Sequence, residues 1–399
     1  ATRWLVFITL LLADPAVRAQ DIDWSGQVSL VPRLFIDDPL FRELPDAGGS
    51  PAVGLAPYSR FEWKRGADRL SLSPSLRWDA DDDKRTHTDL REALWLGIRG
   101  PWTWQIGIGR VFWGVTESRH LVDIINQTDL VEDIDEEDKL GQPMIAIERW
   151  TGKAGSFGVF LLPRFRERTF PAADARLRGT LPVDTDRAEY ESGDEEKRLD
   201  WALRWSHAIG NWDLGLSGFH GTSREPRLLP RLDTPTGPVL IPRYDVIGQL
   251  GVDVQYTKDA WLWKLEAIGR RGHGDTFAAV VAGVEYTLYG IGGNGADLGL
   301  LAEYLYDGRD ESAPPTIYDD DWFVGFRLGF NDIEDSAILG GAIVGKNGTL
   351  AILEAQRRIG ETWRFEAELR WFLDVDTNDP MLAGFKNDSF ITLRLARYL

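Results

Sequence analysis

The chain has 399 residues, no cysteine, five histidines, 17 tryptophans and a formal charge of −18. The lack of cysteine excludes disulfides, thiolate metal sites and thiol nucleophiles, and so acidic a chain suits no nucleic acid, whose phosphates need a basic surface. Hydrophobic content of 43% with 27% charged residues is too polar for a bundle of membrane helices and too apolar for disorder, whereas a membrane β-barrel, apolar outside and polar within, fits it.

At the start, Arg3 precedes an apolar run from Trp4 to Leu12, and Pro15 and the small-residue site Val17-Arg18-Ala19 follow. This reads as a secretory signal peptide over 1–19, too short to span a bilayer, with residues 20–399 as the exported chain. Beyond it the pattern is alternation. In Trp363-Arg364-Phe365-Glu366-Ala367-Glu368-Leu369-Arg370-Trp371 every odd position is apolar and every even one charged, and the stretches at 70–78, 102–109 and 246–256 alternate similarly. Period two with one apolar and one polar face is a β-strand.

Eighteen strands are read this way, with 16–18 as the range: 22–36, 56–66, 69–80, 89–100, 101–112, 143–152, 155–164, 199–209, 211–220, 244–257, 260–271, 276–289, 296–307, 320–331, 335–346, 348–358, 361–373 and 387–398. Connections after odd-numbered strands are mostly long, at 37–55, 113–142, 165–198, 221–243, 308–319 and 374–386. Those after even-numbered strands are short and turn-like, such as Gly66-Ala67-Asp68, Gly100-Pro101, Gly210 and Gly290 to Gly295. Sorting of loops by length between two edges is the layout of a transmembrane antiparallel barrel, with short turns in the periplasm and long loops outside. Trp24, Trp102, Trp212, Trp261 and Trp363 begin odd-numbered strands and Trp201 and Trp322 begin even-numbered ones, two levels that read as interfacial girdles.

By its signal peptide, strand rhythm, girdles and closing strand, the chain resembles Gram-negative outer-membrane porins and alginate-export-like barrels over essentially its whole mature length. The final Phe390-Ile391-Thr392-Leu393-Arg394-Leu395-Ala396-Arg397-Tyr398-Leu399 is similar to the family's C-terminal assembly signal. It departs from it in ending on Leu399, with Arg397 on the lipid face. Either a bulge or snorkelling of Arg397 to the periplasmic headgroups accommodates this. The resemblance implies a single barrel in the bacterial outer membrane, surrounded by lipid and lipopolysaccharide.

Segment 113–142 combines apolar residues at near-helical spacing, Leu121, Ile124, Ile125 and Leu130, with the acid cluster Glu132 to Asp138. It follows the fifth strand, where the porins it resembles fold a loop into the lumen. A constriction is therefore expected here, carrying Glu117, Arg119, His120, Asp123, Asp129, Glu132 and Asp133; a surface cap is the alternative. Asp374, Asp376 and Asn378 imitate the opening of a calcium loop, because alternate oxygen donors suit Ca²⁺. Without the Gly at position six and the Glu at twelve, a solvated loop is the stronger reading, and no other metal or cofactor is indicated. The five histidines have no metal-pair spacing on one strand face. His220 near Thr222 and Ser223 has no Gly-x-Ser-x-Gly turn to make a hydrolase of it.

By alternation Arg33, Arg60, Arg77, Arg204, Lys264, Arg270, Arg327, Arg364 and Arg370 line the lumen, with acids including Asp253, Glu266, Glu303, Glu366 and Glu368. Most are expected to pair across strands. Spare guanidinium groups among them would favour anions. The leading expectation is a passive, substrate-selective pore for small or anionic solutes. The rivals are a barrel acting as receptor, adhesin or scaffold through its acidic loops, and an outer-membrane hydrolase. Solute, direction, oligomeric state and any periplasmic partner are not written in the sequence.

Overall fold

In the computed structural model, residues 22–41, 44, 52–235, 237–293, 295–379 and 381–399 are described; the expected signal peptide lies outside them. Alternating segments form β1 (Ile22–Phe35), β2 (Ala52–Leu55 continued by Tyr58–Arg65), β3 (Asp68–Arg77), β4 (His87–Arg99), β5 (Trp102–Gly109) and β6 (Gln142–Trp150). Next come β7 (Ser156–Leu162), β8 (Asp200–Ile209), β9 (Trp212–Thr222), β10 (Val246–Lys258), β11 (Trp261–Gly272) and β12 (Gly274–Ile291). The last six are β13 (Ala296–Asp307), β14 (Asp320–Gly329), β15 (Ala337–Gly345), β16 (Gly348–Ile359), β17 (Trp363–Leu373) and β18 (Phe390–Tyr398). Each pairs antiparallel with its sequence neighbour, and β1 pairs with β18 from Gln27↔Tyr398 to Phe35↔Phe390. The result is a closed barrel of eighteen antiparallel strands. Closure satisfies every strand's backbone within the sheet, which a hydrocarbon surround demands.

Physical causes are visible at the turns. Gly100 (φ 59°) and Gly210 (φ 60°) hold two of the tight connections in the left-handed region, where a Cβ is penalised. The second strand is broken at Ala56-Pro57, because Pro57 has no N–H for the ladder; 56–66 captures only its later part. Two departures concern the loops. Glu189–Tyr190, Arg227–Arg231 and Val239–Tyr244, in regions read as connections, make a separate small sheet. Residues 163–199 run from β7 to the far side, where Arg176 Nε donates to Asp388 at 2.7 Å, beside the start of β18.

The outer surface carries exposed apolar side chains. Trp24, Trp102, Trp212, Trp261 and Trp363 are exposed at one edge, and Trp201 and Trp322 at the other. Trp212, Tyr256, Trp263, Trp261 and Tyr286 touch in series across four strands, with ring centroids 4.4 to 5.6 Å apart. Such belts mark the membrane interface. The register of β18 with both neighbours runs without a bulge, so Arg397 stays on the lipid face.

The inner surface is not uniformly polar, which corrects the simple picture of a polar lumen. On β6 to β10 Met144, Ala146, Phe160, Leu162, Ala202, Phe219 and Ile247 are buried. On β11 to β14 Ile268, Ala279, Val281, Leu301, Leu305 and Phe323 are buried likewise. At these two patches the wall is apolar on both faces, so something must cover them from within.

Candidate functional site in the barrel interior

The cover is the connection 110–141. Ile124 and Ile125 pack on the first apolar group, and Leu121 and Val122 on the second. Its feet are joined by Asn126, whose amide donates to the carbonyls of Gly109 at 2.9 Å and Leu140 at 2.8 Å while its Oδ1 accepts from Val111 N–H at 2.8 Å. Asp123 accepts from the N–H groups of Trp113 (2.6 Å) and Gly114 (2.9 Å), and so shapes the entry turn.

Two wall carboxylates receive the loop. Glu266 of β11, fully buried, accepts from Val115 N–H (2.6 Å), Thr116 N–H (3.0 Å), Thr116 Oγ1 (2.7 Å) and Val122 N–H (3.1 Å). Glu303 of β13 accepts from Glu117 N–H, Ser118 N–H (both 2.8 Å) and Ser118 Oγ (2.6 Å). Charged acceptors bonded this fully are the strongest polar anchors available inside a protein. Beside them, Glu117 pairs with Arg327 (2.6 Å) and Lys264 (3.6 Å), and Arg119 with Asp307 (2.9 Å). Lys264 also lies 3.9 Å from Glu285. His120 lies 3.1 Å from Glu137 and 3.7 Å from Glu266. Burial opposes its charge, but the neighbouring carboxylates of Glu137 and Glu266 prevail and push its pKa up to about 10.

The acid arm, Glu132 to Asp138, reaches the opposite wall. Arg33 of β1 pairs with Asp133 (3.2 Å), Arg77 of β3 with Glu132, and Arg370 of β17 with Asp135 (2.7 Å). Arg91 of β4 holds Asp129 at 2.6 Å. Arg85 donates to the carbonyls of Val131 (2.8 Å) and Glu132 (3.3 Å). The segment thus touches inward-facing side chains on both sides of the barrel. Burial and the neighbouring Asp133 raise the Asp135 carboxyl well above the usual range.

Between this arm and the wall of β14 to β18, continued by residues of β1 and β3, lies a cavity of about 560 Å³. Its lining includes six arginines (33, 77, 85, 327, 370, 394) and seven acids, Glu132, Asp133, Asp135, Asp138, Glu354, Glu366 and Glu368. Arg370 also meets Glu368 (2.6 Å) and Glu354 (3.1 Å), and Arg394 meets Glu366 (3.5 Å). Arg364 pairs with Glu366 at 2.9 Å, and Arg60 with Glu62 at 2.8 Å. Arg204 of β8 reaches Asp253 of β10 at 2.8 Å across Gly215 of β9, where a Cβ would lie 2.2 Å from the guanidinium. Arg270 bonds Gln249 (2.8 Å) and Glu225 (2.6 Å). The spare guanidinium groups expected for anion binding are therefore not present at Arg77, Arg204, Arg270, Arg327 or Arg370; each has an acid partner. Several of those acids lie on loops distant in sequence, where strand alternation could not locate them.

The remaining sequence candidates fall as follows. Ser223 Oγ is bonded to the backbone of Glu225, and His220 to Ile247 O and Arg198, so no Ser–His contact forms. Asp376 Oδ1 accepts from Asn378 N–H and its side-chain amide, both at 2.9 Å, which is a local turn. A gathering that spacing did not reveal is His87, Asp129 and Glu132, whose ligand atoms lie within 4.8 Å of one another. Arg91 lies 3.2 Å from Glu132 and Arg77 also pairs with it, so a cation there would meet two fixed positive charges.

A closed eighteen-strand antiparallel barrel with an apolar outer belt, whose fifth connection packs inward, defines a transmembrane β-barrel. Neither a protein-family model nor a curated protein sequence matches the chain. Solved structures do match in fold. OccAB3 of Acinetobacter baumannii is similar with a TM-score of 0.53 and 8% identity, over 94% of this chain and 99% of that one. OccK2 (OpdF) of Pseudomonas aeruginosa, solved with glucuronate, has a TM-score of 0.53 and 10% identity over 95% and 98%. Wzi of Escherichia coli, an outer-membrane protein involved in group 1 capsule assembly and described as a carbohydrate-binding β-barrel, has a TM-score of 0.52 and 10% identity over 98% and 87%.

Proposed function

We propose that the chain is a passive pore of a Gram-negative outer membrane, with its short turns in the periplasm, and that solutes pass between the acid arm of 110–141 and the wall of β14 to β18. The asymmetry of the interior carries this reading. One half of the wall carries the two apolar groups that the loop covers and the carboxylates of Glu266 and Glu303 that hold it, while the other is charged and leaves a cavity of about 560 Å³. Such a volume accepts a small polar molecule. Because cations and anions on its lining are almost balanced and most have an oppositely charged partner, the pore discriminates by size and hydrogen bonding more than by net charge, and anions gain no strong preference. Proteoliposomes loaded with an impermeant sugar test this. Swelling in isotonic small polar solutes, falling steeply with solute size, is the expected result, and no swelling from folded barrels contradicts it.

A second reading, a non-conducting barrel that presents its loops to a partner, draws support from the strap 163–199. Its Arg176 is buried against Asp388 and against the carbonyls of Asn387 (2.8 Å) and Asp37 (3.2 Å). This reading requires the same proteoliposomes to stay impermeable.

A further inference from the structure

The outward face carries one small arrangement twice. Trp102, the first residue of β5, stands opposite Arg149, the penultimate residue of β6; Trp363, the first of β17, stands opposite Arg397, the penultimate of β18. The guanidinium carbons lie 5.1 Å and 5.7 Å from the indole centroids. An exposed aromatic follows each arginine, Trp150 and Tyr398. All belong to the edge that holds the short turns and the exposed Trp24, Trp212 and Trp261.

These two arginines differ from those of the interior. Among the described residues neither has a carboxylate within ion-pair distance. The contrast is immediate, because Arg99, on the other side of Trp102, is held by Asp68 at 2.7 Å. A cation–π contact with an indole restrains a guanidinium and leaves its N–H edge free to donate. At girdle depth an unpaired cation of this kind faces lipid headgroups. From each arginine a track of apolar cross-strand pairs leads toward the middle of the membrane, Trp104↔Ile147 and Ile106↔Ile145 in one case, Phe365↔Leu395 and Ala367↔Leu393 in the other. Ile106, Ile145, Phe365 and Leu395 are exposed.

We propose that Arg149–Trp102 and Arg397–Trp363 are two binding sites for anionic phospholipid from the adjoining leaflet. The planar guanidinium takes the phosphodiester through paired N–H donors, and the apolar tracks take the acyl chains. The sites depend on the barrel's lipid-facing surface and are independent of whether its interior conducts.

Native mass spectrometry of the full barrel in detergent, titrated with phosphatidylglycerol or with phosphatidylcholine of the same chains, tests this. The wild type is expected to retain two phosphatidylglycerol molecules, about tenfold more strongly than phosphatidylcholine. R149Q and R397Q should each retain one and the double variant none, while all three keep the heat-modifiable mobility of a folded barrel. Where a neutral variant does not assemble, R149K and R397K keep the charge but lose the planar fork, and should retain less phosphatidylglycerol than the wild type. Millimolar inorganic phosphate should not displace the lipid. Equal retention of the two lipids, retention unchanged in the double glutamine variant or at wild-type level in the lysine variants, or displacement by inorganic phosphate would each overturn the proposal.

Discussion

Truncating Glu266 to alanine should undock the inner loop without opening the barrel. The side chain accepts four hydrogen bonds from residues 115–122, at 2.6 to 3.1 Å. Bonds to a charged group contribute ~1.5–3 kcal/mol each, and removal of the shared acceptor strands the donors it served. The donors recover part of that loss in water once the loop lifts, so a net penalty of about 3 kcal/mol on docking is a fair scale. That shifts the docked-to-undocked ratio roughly a hundredfold. The ladder itself is untouched, because residue 266 pairs through its backbone with Asp253 and Val281. Single-channel recording of E266A should show higher or rapidly fluctuating conductance, and brief proteolysis should cut within 110–141. Heat-modifiable mobility should be preserved. Conductance and cleavage both indistinguishable from wild type would refute the role given to Glu266.

Three further outcomes follow from the same geometry. V122D places a carboxylate in the fully buried site among Ile268, Val281 and Phe323; the loop should be expelled at a cost of several kcal/mol, roughly as for any unpaired buried charge, which hydrogen exchange of 110–141 would register. The His120 tether gains stability from its raised pKa, so its contribution is complete below the unfolded value of about 6.5 and is lost as pH rises through about 10; conductance noise should therefore grow as pH approaches 10, and H120Q should remove that rise. Because the cavity lining is nearly balanced, reversal potentials across a salt gradient should lie near zero, and R327Q, which removes the half-exposed partner of Glu117, should shift them toward cations; a strongly anion-selective wild type would contradict the pairing described above.

The strands were legible because lipid and lumen impose opposite demands on alternate residues. In β17 the span 361–373 contains the observed Trp363–Leu373, and its charges at 364, 366, 368 and 370 leave one choice of face. The signal faded where both faces are apolar. In β12 the sequence Phe277 to Val284 shows no alternation, since Ala279 and Val281 face the loop rather than water. That continuous apolar run was the available clue that the interior is covered there. Charge pairing was legible only in part. Arg370 meets Glu368 on its own strand, but also Asp135, 235 residues away. Arg204 meets Asp253 two strands over, a reach that Gly215 permits and that nearest-neighbour pairing does not suggest. Asp123 and Glu266 were legible as charged residues, but their work is to accept backbone N–H groups of the loop, and which N–H groups an acid serves depends on tertiary placement.

The central claim is that the cavity beside the acid arm conducts. Single-channel recording of purified, heat-modifiable barrels in a planar bilayer addresses it most directly. Discrete, ohmic conductance steps are expected, larger when residues 117–138 are deleted. A folded wild-type barrel that inserts yet produces no steps, while the deletion variant conducts, would mean that the loop seals the interior and that the protein is not a pore.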